Sequence, residues 1–373
     1  VLAELTVDLS AIRRNAAALA ALIGSARLVP VIKANAYGHG LLPVGQALAP
    51  SVTRLAVYEV SEACALRAAG LTLPIHVLGP IAPRDLDEAL AANADITLWD
   101  DGAYLRDVAR AAQRPARPLR AHAKIDTGVT RLGMHANRAP TLLAQYARTP
   151  ASITLVGAFS HLAAAEELHS TFTHEQLATF ERATADLAPT VERHIAASAA
   201  AMLWPETRLD AVRAGIAIYG CWPSAQTATI MRERGFVLEQ ALSWRTQIVI
   251  VHDVPAHTPV GYGCSFHTKR PSRIGVIPIG YAEGLPRSAG DRAHVLVAGT
   301  RVRIVGRVCM NMAFVDLTDV PDAHSGTTVT LIGRDGSDEL AADELANACG
   351  TINYEIIARL PAHVPRVYVG GEP

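Results

Sequence analysis

Between residue 9 and about residue 220, short apolar runs rich in β-branched residues alternate with longer Ala-rich stretches whose apolar positions recur at helical spacing. The runs LVPVIK (28 to 33), RLAVYEV (54 to 60), PIHVLG (74 to 79) and DITLW (95 to 99) read as strands. So do LRAHAKID (119 to 126), ITLVGAFS (153 to 160), ERHIAAS (192 to 198) and LDAVR (209 to 213). Segments such as 59 to 69, 101 to 113 and 173 to 188 read as the helices between them. Eight strand-helix units predict a closed parallel barrel with its helices outside. Catalytic residues of such a barrel sit where strands end, and Lys33, His161, Ser198 and Arg213 all fall at those ends.

After about residue 231 the pattern becomes β-runs separated by turns: SWRTQIVIVHDV, SRIGVIPIG, HVLVAG, RVRIVGRV, MAFVDL and TTVTLIG. Two short helical patterns follow, at 341 to 348 and 351 to 360. The predicted fold class is therefore α/β, with an N-terminal (β/α)8 TIM-type barrel over residues 9 to 230 and a C-terminal, mostly antiparallel β domain over residues 231 to 373. Residues 1 to 8 form a strand that is a candidate to join the second domain.

The 373-residue chain is half apolar, which is enough for two cores. Its 34 Lys and Arg against 35 Asp and Glu give a net charge of -1, with no long basic run. That balance argues against a nucleic-acid or anionic-membrane partner and leaves small molecules and a second copy of the chain. The five cysteines are odd in number, scattered and without metal-ligand spacing, so a reducing compartment, the cytoplasm, is expected and a metal is not. No apolar stretch reaches the length of a membrane span. VLAELTVDLS lacks the features of a leader, and whether a segment precedes Val1 is left open.

The densest chemistry lies in VIKANAYGHG, residues 31 to 40, where an apolar run ends in Lys33. An amine at the mouth of a buried strand is partly desolvated, which disfavours its charged form and suits it to Schiff-base or general-base work. Local chemistry alone equally allows a solvated lysine at a strand end. The stretch resembles the pyridoxal-phosphate lysine signature of the alanine racemase family, and the likeness continues in blocks to the C-terminus. It implies pyridoxal 5'-phosphate as cofactor, alanine as substrate and covalent attachment of the cofactor to Lys33.

Racemisation requires a base on each face of the α-carbon, and one fixed group does not readily reach both. By resemblance Tyr262, in VGYGCSF, is the second base, reaching the site of the partner subunit, so a homodimer with shared active sites is expected. A phenol needs a cationic neighbourhood to act as a base near neutrality, and His161 and Arg213 are candidates to supply it. Arg213, in VRAGIAIYG, would face the pyridine nitrogen. A guanidinium cannot accept a proton, so the ring stays a modest electron sink and α-reprotonation is favoured over transamination.

The resemblance further places Gly215, Ile216, Ser198, Tyr37 and Tyr354 at the cofactor phosphate. Arg131, in KIDTGVTRLGM, would contact the cofactor and the substrate carboxylate, and Lys124 matches a lysine that many relatives carry as a carbamate. The Met310 backbone N–H, in RVCMNMAFVDL, would bind the same carboxylate, with Cys309 beside it as a small packing residue. Tyr281, Arg287 and Glu166 resemble entrance-channel residues. Glu166 and Glu283 stand where aspartate is common, Asn311 replaces the usual aspartate after Met310, Ala197 replaces asparagine and Ala214 replaces proline. The lost carboxylate at 311 leaves a broader amino-acid racemase, acting on serine or other small residues, as the alternative. A decarboxylase fits less well, because neither a Gly-rich phosphate loop nor an acidic partner for the pyridine nitrogen is found.

Overall fold

The computed structural model describes residues 3–99, 103–112, 118–148 and 153–371. The ends of the helix expected over 101 to 113 lie outside the described residues, and Ala103–Ala111 forms its body. The chain divides into two compact units, residues 12–36 with 41–238, and residues 1–11 with 37–40 and 239–373.

The first unit is built on eight parallel strands, Arg27–Pro30, Leu55–Val57, Ile75–Val77, Ile96–Leu98, Leu119–Asp126, Ile153–Phe159, Glu192–His194 and Ala211–Ala214. Each bonds to the next, through ladders or through the bridges Val31 to Ala56, His76 to Asp95 and Ala197 to Arg213. Ala211–Ala214 pairs in turn with Arg27–Pro30, which closes the barrel. Several of the strands are only three residues long and wholly buried, because both faces are covered, and His76 and Thr97 are the polar residues among them. Local chemistry starts the helices between them. Glu62 accepts from the backbone N–H groups of Tyr58 and Glu59, a capping box for Val60–Ala68. Ser224 caps Ala225–Glu233 through the Thr227 N–H, a contact of the kind worth roughly 1 kcal/mol.

Two local expectations are corrected. The strand expected over 28 to 33 ends at Pro30, and Lys33–Tyr37 is a helical turn of the opposite hand. The helix expected over 173 to 188 is Phe172–Ala183. The Thr184 hydroxyl turns back to the Phe180 carbonyl, and Pro189 biases the residue before it away from the helical region.

The second unit is a mostly antiparallel sheet in the order Ile250–Val254, Ser272–Ile277, Ala313–Asp316, Thr300–Val305, His294–Val297, Thr328–Asp335, Leu242–Gln247, Ala3–Asp8, Arg366–Val369. Only the last pair is parallel among these neighbours. Alternation sets the faces: Leu242, Trp244 and Thr246 point into the core and pair with Ala3–Asp8, where Leu5 lies opposite Trp244. The small hairpin of Pro259–Val260 and Phe266–His267 is anchored by Val260 against Ile274 and Val305.

Candidate active site

Lys33 leaves the first barrel strand and enters a left-handed turn. Ala34, Asn35, Ala36 and Tyr37 have φ of 54°, 55°, 54° and 52°, a conformation that costs a non-glycine residue roughly 1–2 kcal/mol each. The turn is held by its own bond from the Ala36 N–H to the Ile32 carbonyl (2.9 Å) and by Asn35 Oδ1, which accepts from the Leu41 N–H (2.9 Å). The amine lies 5.7 Å from the Tyr58 ring centre. Burial, then the charge of Arg131, pulls its pKa below the ordinary lysine value; Glu62 opposes this and Arg213 adds to it.

Lys124 points inward from the fifth barrel strand, its ammonium 4.4 Å from the centre of the Phe159 ring. Burial, reinforced by Arg213 and Arg131, brings its pKa down to about 7. The following loop is ordered by Asp126, whose Oδ1 accepts from the N–H groups of Gly128, Val129 and Thr130 at 2.9, 3.0 and 3.2 Å, and this turn leads into Arg131. Arg213 is buried on the last barrel strand. It donates to the carbonyls of His194 (2.9 Å), Ser160 (2.6 Å) and Ile195 (3.2 Å), and to His194 Nδ1 (2.7 Å). Its second terminal nitrogen faces His161 Nδ1 at 3.4 Å. Burial, then Arg213, holds His161 well below the usual imidazole range, so the ring is neutral at pH 7.

The barrel therefore gathers Lys33, Lys124, Arg131 and Arg213 into one cationic cluster around a neutral His161, which does not supply the positive charge expected of it. Burial and mutual repulsion lower the pKa of Lys33, Lys124, His161 and Arg213. Such a set suits an anionic occupant. Beside it, the Gly215 N–H donates to the buried Ser198 hydroxyl (3.1 Å) at the start of the short helix Ile216–Tyr219. Glu166 belongs to the same unit and is half-buried, which raises its pKa.

The remaining expected site residues lie in the second unit. Tyr37 and Tyr354 have ring centres 6.4 Å apart, and burial pushes the Tyr37 phenol up to about 12. Tyr262 is 72% exposed on the tip of the small hairpin, between Gly261 and Gly263, whose φ values of 74° and 72° fix the turn. A β-carbon at position 263 would stand 2.7 Å from the Arg307 guanidinium. The Tyr281 and Ala282 N–H groups bond to the Cys309 and Met310 carbonyls at 3.1 and 2.8 Å, which sets Met310 outward. Asn311 donates to Glu283 (2.8 Å), whose other oxygen accepts from the Gly280 N–H (2.8 Å). Tyr281 and Arg287 line a cavity of about 630 Å³ in this unit, together with Cys349, Thr351 and Glu355.

Two family models divide the chain between them, alanine racemase N-terminal domain over residues 7–223 and alanine racemase C-terminal domain over residues 241–368. The chain belongs to the alanine racemase family. An alanine racemase of Symbiobacterium thermophilum is 38% identical over 98% of this chain and 96% of its own. Among solved structures, alanine racemase from D-cycloserine-producing Streptomyces lavendulae superposes with a TM-score of 0.92 at 34% identity, covering 99% of this chain and 97% of that one. The Bacillus anthracis alanine racemase with bound L-Ala-P does so with a TM-score of 0.90 at 34% identity, covering 100% and 96%.

Within this alanine racemase fold, sequence reasoning overlooked the polar groups behind Arg213. His122 and His194 are fully buried, and Phe159 stacks on His194 at 5.1 Å. The signal was present, since His122 and Lys124 stand two residues apart on one strand and so share a face. Among the described residues no helix is long and apolar enough to cross a membrane.

Proposed function

We propose that the protein interconverts L- and D-alanine with pyridoxal 5'-phosphate as cofactor, using Lys33 and Tyr262 as bases on opposite faces of the α-carbon. The observation that carries this reading is the cationic cluster around Lys33, whose depressed amine and anion-seeking neighbours fit a phosphorylated, carbonyl-bearing cofactor and a substrate carboxylate. With the cofactor bound, electron withdrawal into its ring acidifies the substrate α-C–H. Lys33, more readily neutral than a solvated lysine, attaches the cofactor and moves the proton on one face.

Arg213, whose terminal N–H groups are held by His194, Ser160 and Ile195, would face the pyridine nitrogen and cannot take a proton from it. Ser198, Gly215, Ile216, Tyr37 and Tyr354 hold the phosphate. Arg131 and the Met310 N–H orient the substrate carboxylate. Lys124, with a pKa of about 7, has a large neutral fraction at physiological pH, which favours the carbamate that would pair with Arg131. Its formation would replace one cation of the cluster by an anion.

Tyr262 serves the opposite face from a second copy of the chain. Its exposure on a turn fixed by two left-handed glycines supports presentation outward, to a partner's site. The enzyme then works as a homodimer, in the cytoplasm, supplying D-alanine for peptidoglycan. Glu166, Tyr281 and Arg287 line the approach.

The Asn311–Glu283 bond favours a second reading, a broader racemase acting on serine and other small amino acids. A neutral amide there offers hydrogen bonds without the negative charge of aspartate. A panel of amino acids scored for racemisation by the purified protein with pyridoxal phosphate separates the readings. Turnover of alanine far above serine is expected, comparable turnover supports the broader enzyme, and no racemisation of any amino acid overturns both. Borohydride reduction followed by peptide mapping is expected to place the adduct on Lys33; an adduct on another lysine removes its assigned role.

A further inference from the structure

We propose that Asp95, remote from the reacting atoms, is a positioning residue for Arg213, acting through a one-way chain of two neutral imidazoles, His194 and His122. The inference rests on the reading of Arg213 given above.

Direction in the chain follows from donor chemistry. A guanidinium only donates, so the 2.7 Å contact from Arg213 requires a lone pair on His194 Nδ1 and puts that ring's proton on Nε2. His194 Nε2 lies 3.0 Å from His122 Nδ1, which must then be the acceptor, and His122 carries its own proton on Nε2. That nitrogen faces Asp95 Oδ2 at 3.5 Å, a charge–dipole contact longer than the hydrogen bonds before it. Asp95 is itself fixed by Arg120 (2.7 Å) and Arg54 (3.7 Å), and as a carboxylate it only accepts. One end of the chain can only give and the other can only receive. Burial would raise the Asp95 pKa, but the facing His122 nitrogen and the bond from Arg120 outweigh that and hold it at about 2.

A second observation shows that the fold makes room for this chain. Gly157 lies opposite His122 on the adjacent strand, and a β-carbon there would stand 2.1 Å from His122 Nδ1, the atom that receives the shared proton. A third buried ring, His76, stacks on His122 with centres 4.0 Å apart and planes at 18°. Nitrogens of His76, His122 and His194 lie within 4.8 Å of one another, as a metal site would require. Lone pairs of stacked rings run parallel, however, and do not converge on one ion. His76 is instead bonded through Nε2 to the Thr97 hydroxyl (3.1 Å).

Without the acceptor at Asp95, His122 is free to take the other tautomer and donate from Nδ1. His194 would then accept at Nε2 and carry its proton on Nδ1, pointing at an N–H of Arg213. Two donors would face each other, and the guanidinium would be displaced from the orientation that its carbonyl contacts and His161 define.

The test is the protonation pattern of ¹⁵N-histidine-labelled holoprotein, measured beside kcat and KM. In the unaltered protein His194 and His122 are expected to be protonated on Nε2 alone. Asp95→Ala is expected to give mixed tautomers and to lower kcat about tenfold with KM little changed. Asp95→Asn, whose amide oxygen can still accept, is expected to restore the pattern and most of kcat. Gly157→Ala interrupts the chain without touching Asp95 and is expected to reproduce the alanine signature. Protonation of either ring on Nδ1 in the unaltered protein, a metal found in place of the shared proton, or unchanged kcat in Asp95→Ala would overturn the proposal. Intact tautomers in a protein that racemises nothing would instead contradict the proposed function.

Discussion

Lys124 shows how a single side chain couples site chemistry to stability. In the folded protein its pKa is about 7, against 10.5 for an ordinary lysine, and burial is the first cause. Between those values the unfolded chain binds more protons than the folded one, so stability should rise with pH from about 7 to about 10.5. Lys33, shifted in the same direction, adds to the trend. Urea midpoints of carbonate-free protein at pH 7 and pH 9.5 should differ in that sense, and Lys124→Met should shrink the difference. A midpoint that falls over this interval, or a difference untouched by Lys124→Met, would contradict the assigned environment.

At the scale of elements, the left-handed turn after Lys33 concentrates strain where the chemistry is placed. Asn35 tolerates φ of 55° better than most residues and also binds the Leu41 N–H. Asn35→Val loses both advantages and should cost about 1–3 kcal/mol, read as a lowered Tm. An unchanged Tm would mean that the turn is not held as described. This turn is also where reading the sequence reached its limit. All eight barrel strands were legible as short β-rich runs between helical patterns, although Glu192–His194 is polar, and six β-runs after residue 231 were legible, whereas Arg366–Val369 was not read. Handedness at residues 34 to 37 was not, since Ala and Tyr carry no preference for positive φ and the fold imposes it. Nor was the chain from Asp95 to Arg213, whose members lie on or beside four different barrel strands. Lys33 and Arg213 were placed near strand ends by the pattern, but their roles came from the family resemblance, since local chemistry alone left a solvated lysine and a surface arginine open.

For the whole molecule, the division of labour between Lys33 and Tyr262 makes assembly testable. If Tyr262 serves the partner's site, a Lys33→Ala chain mixed with a Tyr262→Phe chain forms heterodimers in which one site carries both defects and the other neither. Partial activity should return on mixing and exchange of subunits. Verified heterodimers without any rescue would confine each site to one chain.

The central claim, two bases on opposite faces, is tested most directly by deuterium wash-in at the α-carbon during a single turnover of the Tyr262→Phe variant in heavy water, starting from each enantiomer. Loss of one positioned base typically costs about a hundredfold to ten-thousandfold. Exchange from L-alanine should fall by a factor in that range while Lys33 continues to exchange the proton of D-alanine. Equal, near-normal exchange from both enantiomers would contradict the account.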